Sequence, residues 1–238
     1  MTKQLITVLG LGALLASCTT SNPRFSNSSS ETDDYSPSEE PITQSLFNDK
    51  GASISEESIQ KILAGTYALP PKLRVAIVQL DNQGRQRRYY WNEEPYLKAQ
   101  QAYLDLFTSK FRQSGRVVSV ASIPSLLVAP SPSFTAIREA AVRMQADVVV
   151  VYSISSDIYS RYRAFASPTV KAFATTQLLV LDVRTGLIPF SAISTKDAIS
   201  QKSKEEVDRA EATSRIKDEA VLMTIADIGE RISGFLAK

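Results

Sequence analysis

The alternation of apolar and polar positions divides the chain into three stretches. Leu5 to Leu15 reads LITVLGLGALL, an almost unbroken apolar run. Residues 19–53 show no periodicity and are dominated by Ser, Thr, Asn, Pro and acidic residues. Periodic elements begin after that. Ser53-Ile54-Ser55-Glu56 has capping-box spacing and predicts a short helix over 54–64, stopped by Gly65. Leu73 to Leu80 reads as a mostly buried strand, by length and branched-residue content. Asp81 to Asn92 is polar, with the turn signal Asn82-Gln83-Gly84. Tyr96, Ala99, Tyr103, Phe107 and Phe111 recur three or four apart, which puts them on one face of a helix from Pro95 to about Gln113. Val117 to Val120 is a second strand. Ser131-Pro132-Ser133 opens a second helix with the face Ile137, Ala140, Ala141 and Met144. Asp147 to Ile154 has a continuous apolar core, the pattern of a central strand covered on both faces.

From there the pattern changes. Ser156 to Thr169 reads as a link. Val170 to Val183 reads as a long strand. Asp182-Val183-Arg184-Thr185-Gly186 has the residues of a tight hairpin turn, and Leu187 to Ser194 returns as its partner strand. A last helix covers roughly 203–236. Val221, Ile225, Ile228, Ile232 and Phe235 form its buried stripe, and its charged first third is solvated. The fold class is therefore α/β: a mixed sheet of about five strands, β-α-β-α-β followed by an antiparallel hairpin, with flanking helices and a C-terminal helix. The first three strands should run parallel.

The opening run is too short to span a bilayer and fits a signal-peptide core, with Lys3 before it. It leads into Leu15-Ala16-Ser17-Cys18, which resembles a bacterial lipobox. The resemblance implies a lipoprotein signal peptide over 1–17 and Cys18 as the new N-terminus, carrying diacylglycerol and an amide-linked acyl chain. Chains of that number give stable membrane anchoring. Thr19 replaces the Asp of an inner-membrane retention signal, so the expected address is the outer membrane, facing the periplasm. Residues 18–53 are then a lipidated cysteine and a flexible polar tether, and 54–238 a single α/β domain.

Composition narrows the chemistry. The chain has 238 residues, one cysteine, no histidine and a formal net charge of +2. These values exclude a disulfide framework, a Cys/His zinc site, a Ser-His-Asp or Cys-His apparatus and a strongly basic nucleic-acid binder. No cofactor is expected beyond the covalent lipid on Cys18. Residues 19–50 hold two basic and six acidic residues, so the remaining domain is mildly positive.

The element order after the lipobox and tether resembles a family of envelope lipoproteins. It includes the penicillin-binding-protein activator LpoB, the curli secretion lipoprotein CsgG and the N-terminal domain of TolB. Arg74-Val75-Ala76-Ile77, Ala146-Asp147-Val148-Val149-Val150-Val151 and Leu181-Asp182-Val183-Arg184-Thr185-Gly186-Leu187-Ile188 carry the resemblance. It implies the fold more than the task. The curli channel inserts extra hairpins into the membrane; the Asp182–Ile188 hairpin here is too tight for that, and Tyr159 to Phe165 lacks lipid-facing alternation.

Two clusters combine arginine with aromatics, the residues that interfaces favour. Arg85, Arg87, Arg88, Tyr90 and Trp91 form one; Tyr159, Arg161, Tyr162 and Arg163 form the other. Asp81, Asp147, Asp157 and Asp182 lie near strand ends, but no spacing rule brings two of them together. The leading expectation is a membrane-anchored, non-catalytic lipoprotein that presents its domain to an envelope protein, in the manner of a wall-synthase activator or assembly factor. A subunit of a self-assembling secretion complex, with copies of itself as partners, is the alternative, and a tethered hydrolase follows. Nucleic acid is not an expected partner.

Overall fold

The computed structural model describes residues 53–80, 93–128, 132–161, 169–201 and 209–238. Its elements are α1 (Glu56–Ala64), β1 (Leu73–Gln79), α2 (Glu93–Arg112), β2 (Val117–Ser122), α3 (Phe134–Arg143), β3 (Val148–Arg161), β4 (Thr169–Asp182), β5 (Phe190–Gln201) and α4 (Arg209–Leu236). The strands form one five-stranded sheet in the order β2-β1-β3-β4-β5. β1 pairs in parallel with both β2 and β3, while β3–β4 and β4–β5 are antiparallel. The expected α/β mixed sheet is present.

The pleat sorts the core into two layers. Val75 and Ile77 of β1, with Val148, Val150 and Tyr152 of β3, face α2 and α4. Ala76 and Val78, with Val149 and Val151, face α3. Tyr103, Phe107 and Phe111 fill the first layer as the helical spacing requires, but Tyr96 of the same expected face is exposed. The 28-residue α4 lies across β4, β5 and α2. Small inward residues, Ala172, Ala174, Ala192 and Ala198, give it a shallow bed. Its described first turns are buried on one side through Ala212, Thr213, Ile216 and Lys217, while most of the charged first third expected to be solvated lies outside the described residues. Thr176 and Thr224 meet inside at 2.6 Å, and Thr224 also donates to the Val221 carbonyl.

Three boundaries differ from expectation, each for a physical reason. Ser55, not Ser53, caps α1 by accepting from the Ser58 amide. The expected link from Ser156 is strand: β3 runs to Arg161, because Ile154, Ser156 and Ile158 keep facing inward while Ser155, Asp157 and Tyr159 keep facing out. The return strand begins at Phe190 rather than Leu187. Pro189 has no amide to give the ladder, so pairing starts after it, with Phe190 opposite Val180, and persists through the polar residues to Gln201.

Two glycines of α4 differ in their surroundings. A methyl added at Gly229 would stand 2.6 Å from Lys110 Cγ on α2, whereas nothing lies within 4 Å of one at Gly234. Gly234→Ala is therefore expected to stabilise by about 0.5–1 kcal/mol through helix propensity. Gly229→Ala is expected to destabilise by about 1 kcal/mol, crowding outweighing propensity. Thermal denaturation of the two variants checks the contrast.

Candidate functional site

β1 reaches β3 only as far as the Gln79↔Tyr152 pair. Beyond it β3, β4 and β5 continue as a three-stranded wing, nine residues of β3 long, or about 30 Å. α4 covers one face of the wing. The other face carries Tyr159, Lys171 and Ile199 in one row and Asp157, Phe173 and Asp197 in the next. Below them lie Ser155, Thr175 and Thr195, then Ser153, Gln177 and Ile193. Tyr159, Phe173, Ile193 and Ile199 are between 42% and 67% exposed, large apolar groups on a face that water alone would select as polar. Lys171 Nζ sits 3.1 Å from Asp197 Oδ2, across the Phe173–Ile199 diagonal. Both groups are about half exposed, so the pair adds little stability, but it fixes a charge dipole amid the apolar side chains. Thr175 and Thr195 bond through their hydroxyls at 2.8 Å. The face thus mixes exposed large apolar side chains with an ion pair and a hydroxyl pair.

Of the basic-aromatic clusters, Tyr159 lies on this face and is 67% exposed. Arg161 ends β3 opposite Thr169. Tyr162 and Arg163, the whole of Arg85, Arg87, Arg88, Tyr90 and Trp91, and Cys18 with the tether lie outside the described residues, as does Asp81. Sequence reasoning missed Lys171, Phe173, Asp197 and Ile199. The signal was there in the two-residue alternation of FSAISTKDAISQ, alanines inward and isoleucines outward.

The structure does bring two aspartates together, at the opposite end of the sheet. Val148 pairs with Asp182, so Asp147 and Asp182 are near neighbours at the amino end of β3. Asp147 accepts from the Arg74 amide at 2.9 Å and from its guanidinium at 3.1 and 3.0 Å. Gln145, at φ 57°, closes α3 in a Schellman-type turn, its amide bonding Val142 and that of Ala146 bonding Ala141, which aims Asp147 at β1. Asp182 accepts from the Thr185 amide and hydroxyl and from the Tyr67 hydroxyl. Arg138 of α3 donates to the carbonyls of Val183 and Arg184. Hydrogen bonds from Arg74 hold the Asp147 carboxyl below the usual range, and burial, with the Asp182 bond, pushes the Tyr67 hydroxyl up. Both carboxylates are thus absorbed in a clasp between strands, turn and helix, and the parallel strands point their carboxyl ends, where such sheets place ligands, the other way. Asp157 lies on the wing and accepts from the Ile158 amide. Between the helices, Tyr103 donates to Asp218 at 2.7 Å, and burial pushes that carboxyl up. Among the described residues no group of three His, Cys, Asp or Glu could hold a metal, and no helix is long and apolar enough to cross a membrane.

No family model matches the sequence, and no curated protein matches it. Solved structures similar to the chain include bacterial lipoproteins. The hypothetical protein CT253 of Chlamydia trachomatis is 15% identical over 69% of this chain and 98% of its own, with a TM-score of 0.40. A PelC dodecamer from Paraburkholderia phytofirmans is 14% identical over 68% and 95%, at 0.32. A minor lipoprotein from Acinetobacter baumannii is 9% identical over 68% and 92%, at 0.33. At those values none of them bears on what this chain does.

Proposed function

We propose that the chain is a non-catalytic envelope lipoprotein, anchored through Cys18 to the outer membrane on its periplasmic side, that offers the open face of the β3–β5 wing to an envelope protein. The observation that carries this reading is a face that no described element covers, with Tyr159, Phe173 and Ile199 around the Lys171–Asp197 pair. Support also comes from the lipobox and tether, which keep the domain near membrane or wall partners at high effective concentration. Asp147 and Asp182, two of the four aspartates a hydrolase could draw on, are bound into the clasp. By the resemblance of sequence, the partner is a cell-wall synthase or an assembly apparatus. A subunit of a self-assembling secretion complex is the second reading, favoured by the outer edge of β5, which no described strand covers.

The test uses the full chain in a bacterial host. A photo-cross-linking residue placed at Thr175, within the face, should capture one defined envelope protein. Phe173→Glu should reduce that capture at least tenfold, since interface anchors of this kind contribute upwards of 1.4 kcal/mol. The same probe at Arg143 of α3, 62% exposed, should capture nothing defined. Cys18→Ser should abolish both lipid labelling and membrane retention. Capture that ignores Phe173→Glu would sink the proposed face.

A further inference from the structure

β5 is the last strand of the sheet, and no described strand lies beyond it. Its odd residues stand opposite odd residues of β4. The 2.8 Å approach of the Thr175 and Thr195 hydroxyls is that of a close, non-hydrogen-bonded antiparallel pair. The backbone groups of Thr195, and by the two-residue period those of Ile193, Asp197 and Ile199, therefore point away from β4. Ile193 bears this out: its carbonyl accepts from Arg231 Nη1 of α4, at 3.2 Å. A strand of 12 residues with its alternate amides turned outward is an edge that another strand can extend.

We infer that this edge pairs with the same edge of a second copy, antiparallel, about a two-fold axis at Thr195. The charges fit a second copy in this register. With Thr195 opposite Thr195, Ile193 faces Asp197 and Ser191 faces Ile199 on the open face, while Ala192 faces Ala198 and Ser194 faces Lys196 on the α4 face. No like charges meet. Centring the axis on Lys196 would oppose two ammonium groups, centring it on Asp197 two carboxylates, and centring it on Ile193 would leave the far half of the strand unpaired. The flank is complementary as well. Asp227 of α4 takes a hydrogen bond from Ser194 and lies 3.5 Å from its own Lys196. In the pair, Lys196 stands opposite Ser194 of the second copy and so within reach of that copy's Asp227, and the exchange is reciprocal.

Arg231 guards the edge. Ion-paired to Asp227 at 2.7 Å, its guanidinium occupies the Ile193 carbonyl that would otherwise accept the Asp197 amide of the second copy. Pairing displaces one such bond per copy, and a strand pair alone buries less than the roughly 800 Å² per partner of a standard interface. The dimer is therefore weak and concentration-dependent, suited to molecules crowded on a membrane. A two-fold contact closes at two copies and does not build a ring by itself. The inference rests on the sheet and not on the proposed binding face.

The experiment is cysteine cross-linking of the full chain in the envelope of a bacterial host, under mild oxidation. Thr195→Cys puts two Cα atoms about 5.5 Å apart across the axis, within disulfide range, and should give a covalent dimer. Ser191→Cys should not, because its copies are roughly 26 Å apart; co-expressed with Ile199→Cys it should. Wild type, whose one cysteine is Cys18, sets the background. Adding Arg231→Ala to Thr195→Cys should raise the linked fraction roughly 25-fold where dimer is scarce, the equilibrium value of the two hydrogen bonds displaced, one per copy. No dimer from Thr195→Cys in a chain that accumulates and folds like wild type, or equal linking from Ser191→Cys alone, overturns the pairing. A linked fraction indifferent to Arg231→Ala overturns the guard.

Discussion

Phe107→Ala is expected to lower the unfolding free energy by about 4 kcal/mol, a large part of the whole stability of a domain of this kind. Phe107 is fully buried in the layer between α2, α4 and the sheet. Its ring lies 4.8 Å from that of Tyr152, tilted by 50°. Tyr152 in turn donates its hydroxyl to Gln79 Oε1 at 2.9 Å, at the last pair between β1 and β3. Truncation therefore empties a cavity beside the point where the five-stranded sheet narrows to three. Phe107→Leu keeps most of the volume and should cost about 1.5 kcal/mol. Urea denaturation followed by circular dichroism measures both. A loss below about 1 kcal/mol for the alanine variant would mean that the layer collapses to fill the space.

The second large effect belongs to the clasp. Asp147→Asn should cost about 2 kcal/mol at neutral pH, because Asp147 takes up the Arg74 amide at the start of β1 together with its guanidinium. The guanidinium side chain is 42% exposed, so solvent screens its share and the figure stays at the lower end for a charged pair. The pH dependence follows from the direction of the shift. Hydrogen bonds from Arg74, then its charge and that of Arg184, depress the folded-state carboxyl below its ordinary value. A depressed carboxylate contributes its stability in full above the unfolded value, about 3.9, and loses it as pH falls through the folded one. The gap between wild type and Asp147→Asn should thus be wide at pH 7 and close below about pH 4. Denaturant midpoints at pH 3 and pH 7 decide the matter; a gap of constant size would show that shape and not charge makes the clasp.

The two inner parallel strands were legible because they are buried on both faces and read as apolar runs, Val75 to Val78 and Val148 to Val151. The wing was legible in part: β4 and its antiparallel return were read, but the extension of β3 and the far half of β5 were not, because one face of the wing is open. Along β3 and β5 the outward positions include Ser155, Asp157, Thr195 and Asp197, which break an apolar run without ending a strand. The inward partners, Ile154, Ile158, Ala192 and Ala198, keep the two-residue beat, but alanine is a faint beat and the outward Ile193 and Ile199 blur it. The aspartate clasp was hidden for another reason. Asp147 and Asp182 are 35 positions apart, and their proximity follows from strand pairing rather than from any local spacing. The hairpin turn was seen correctly in its residues, since Gly186 has φ 75° and its amide closes on the Asp182 carbonyl.

The sheet is also assembled from two kinds of pairing with different costs in chain entropy. β3, β4 and β5 are joined as successive hairpins, whose partners are close in sequence and meet quickly. β1 is an inner strand, yet its bond to β3 joins residues 73 positions apart, as the Arg74–Asp147 contact shows. A chain delivered amino end first presents β1 long before that neighbour exists. Its Val75–Val78 run then waits with an open edge until the hairpins arrive and the clasp locks the register, so closure of the β1–β3 seam is the expected slow step of folding and the interval before it the expected time of greatest exposure to aggregation.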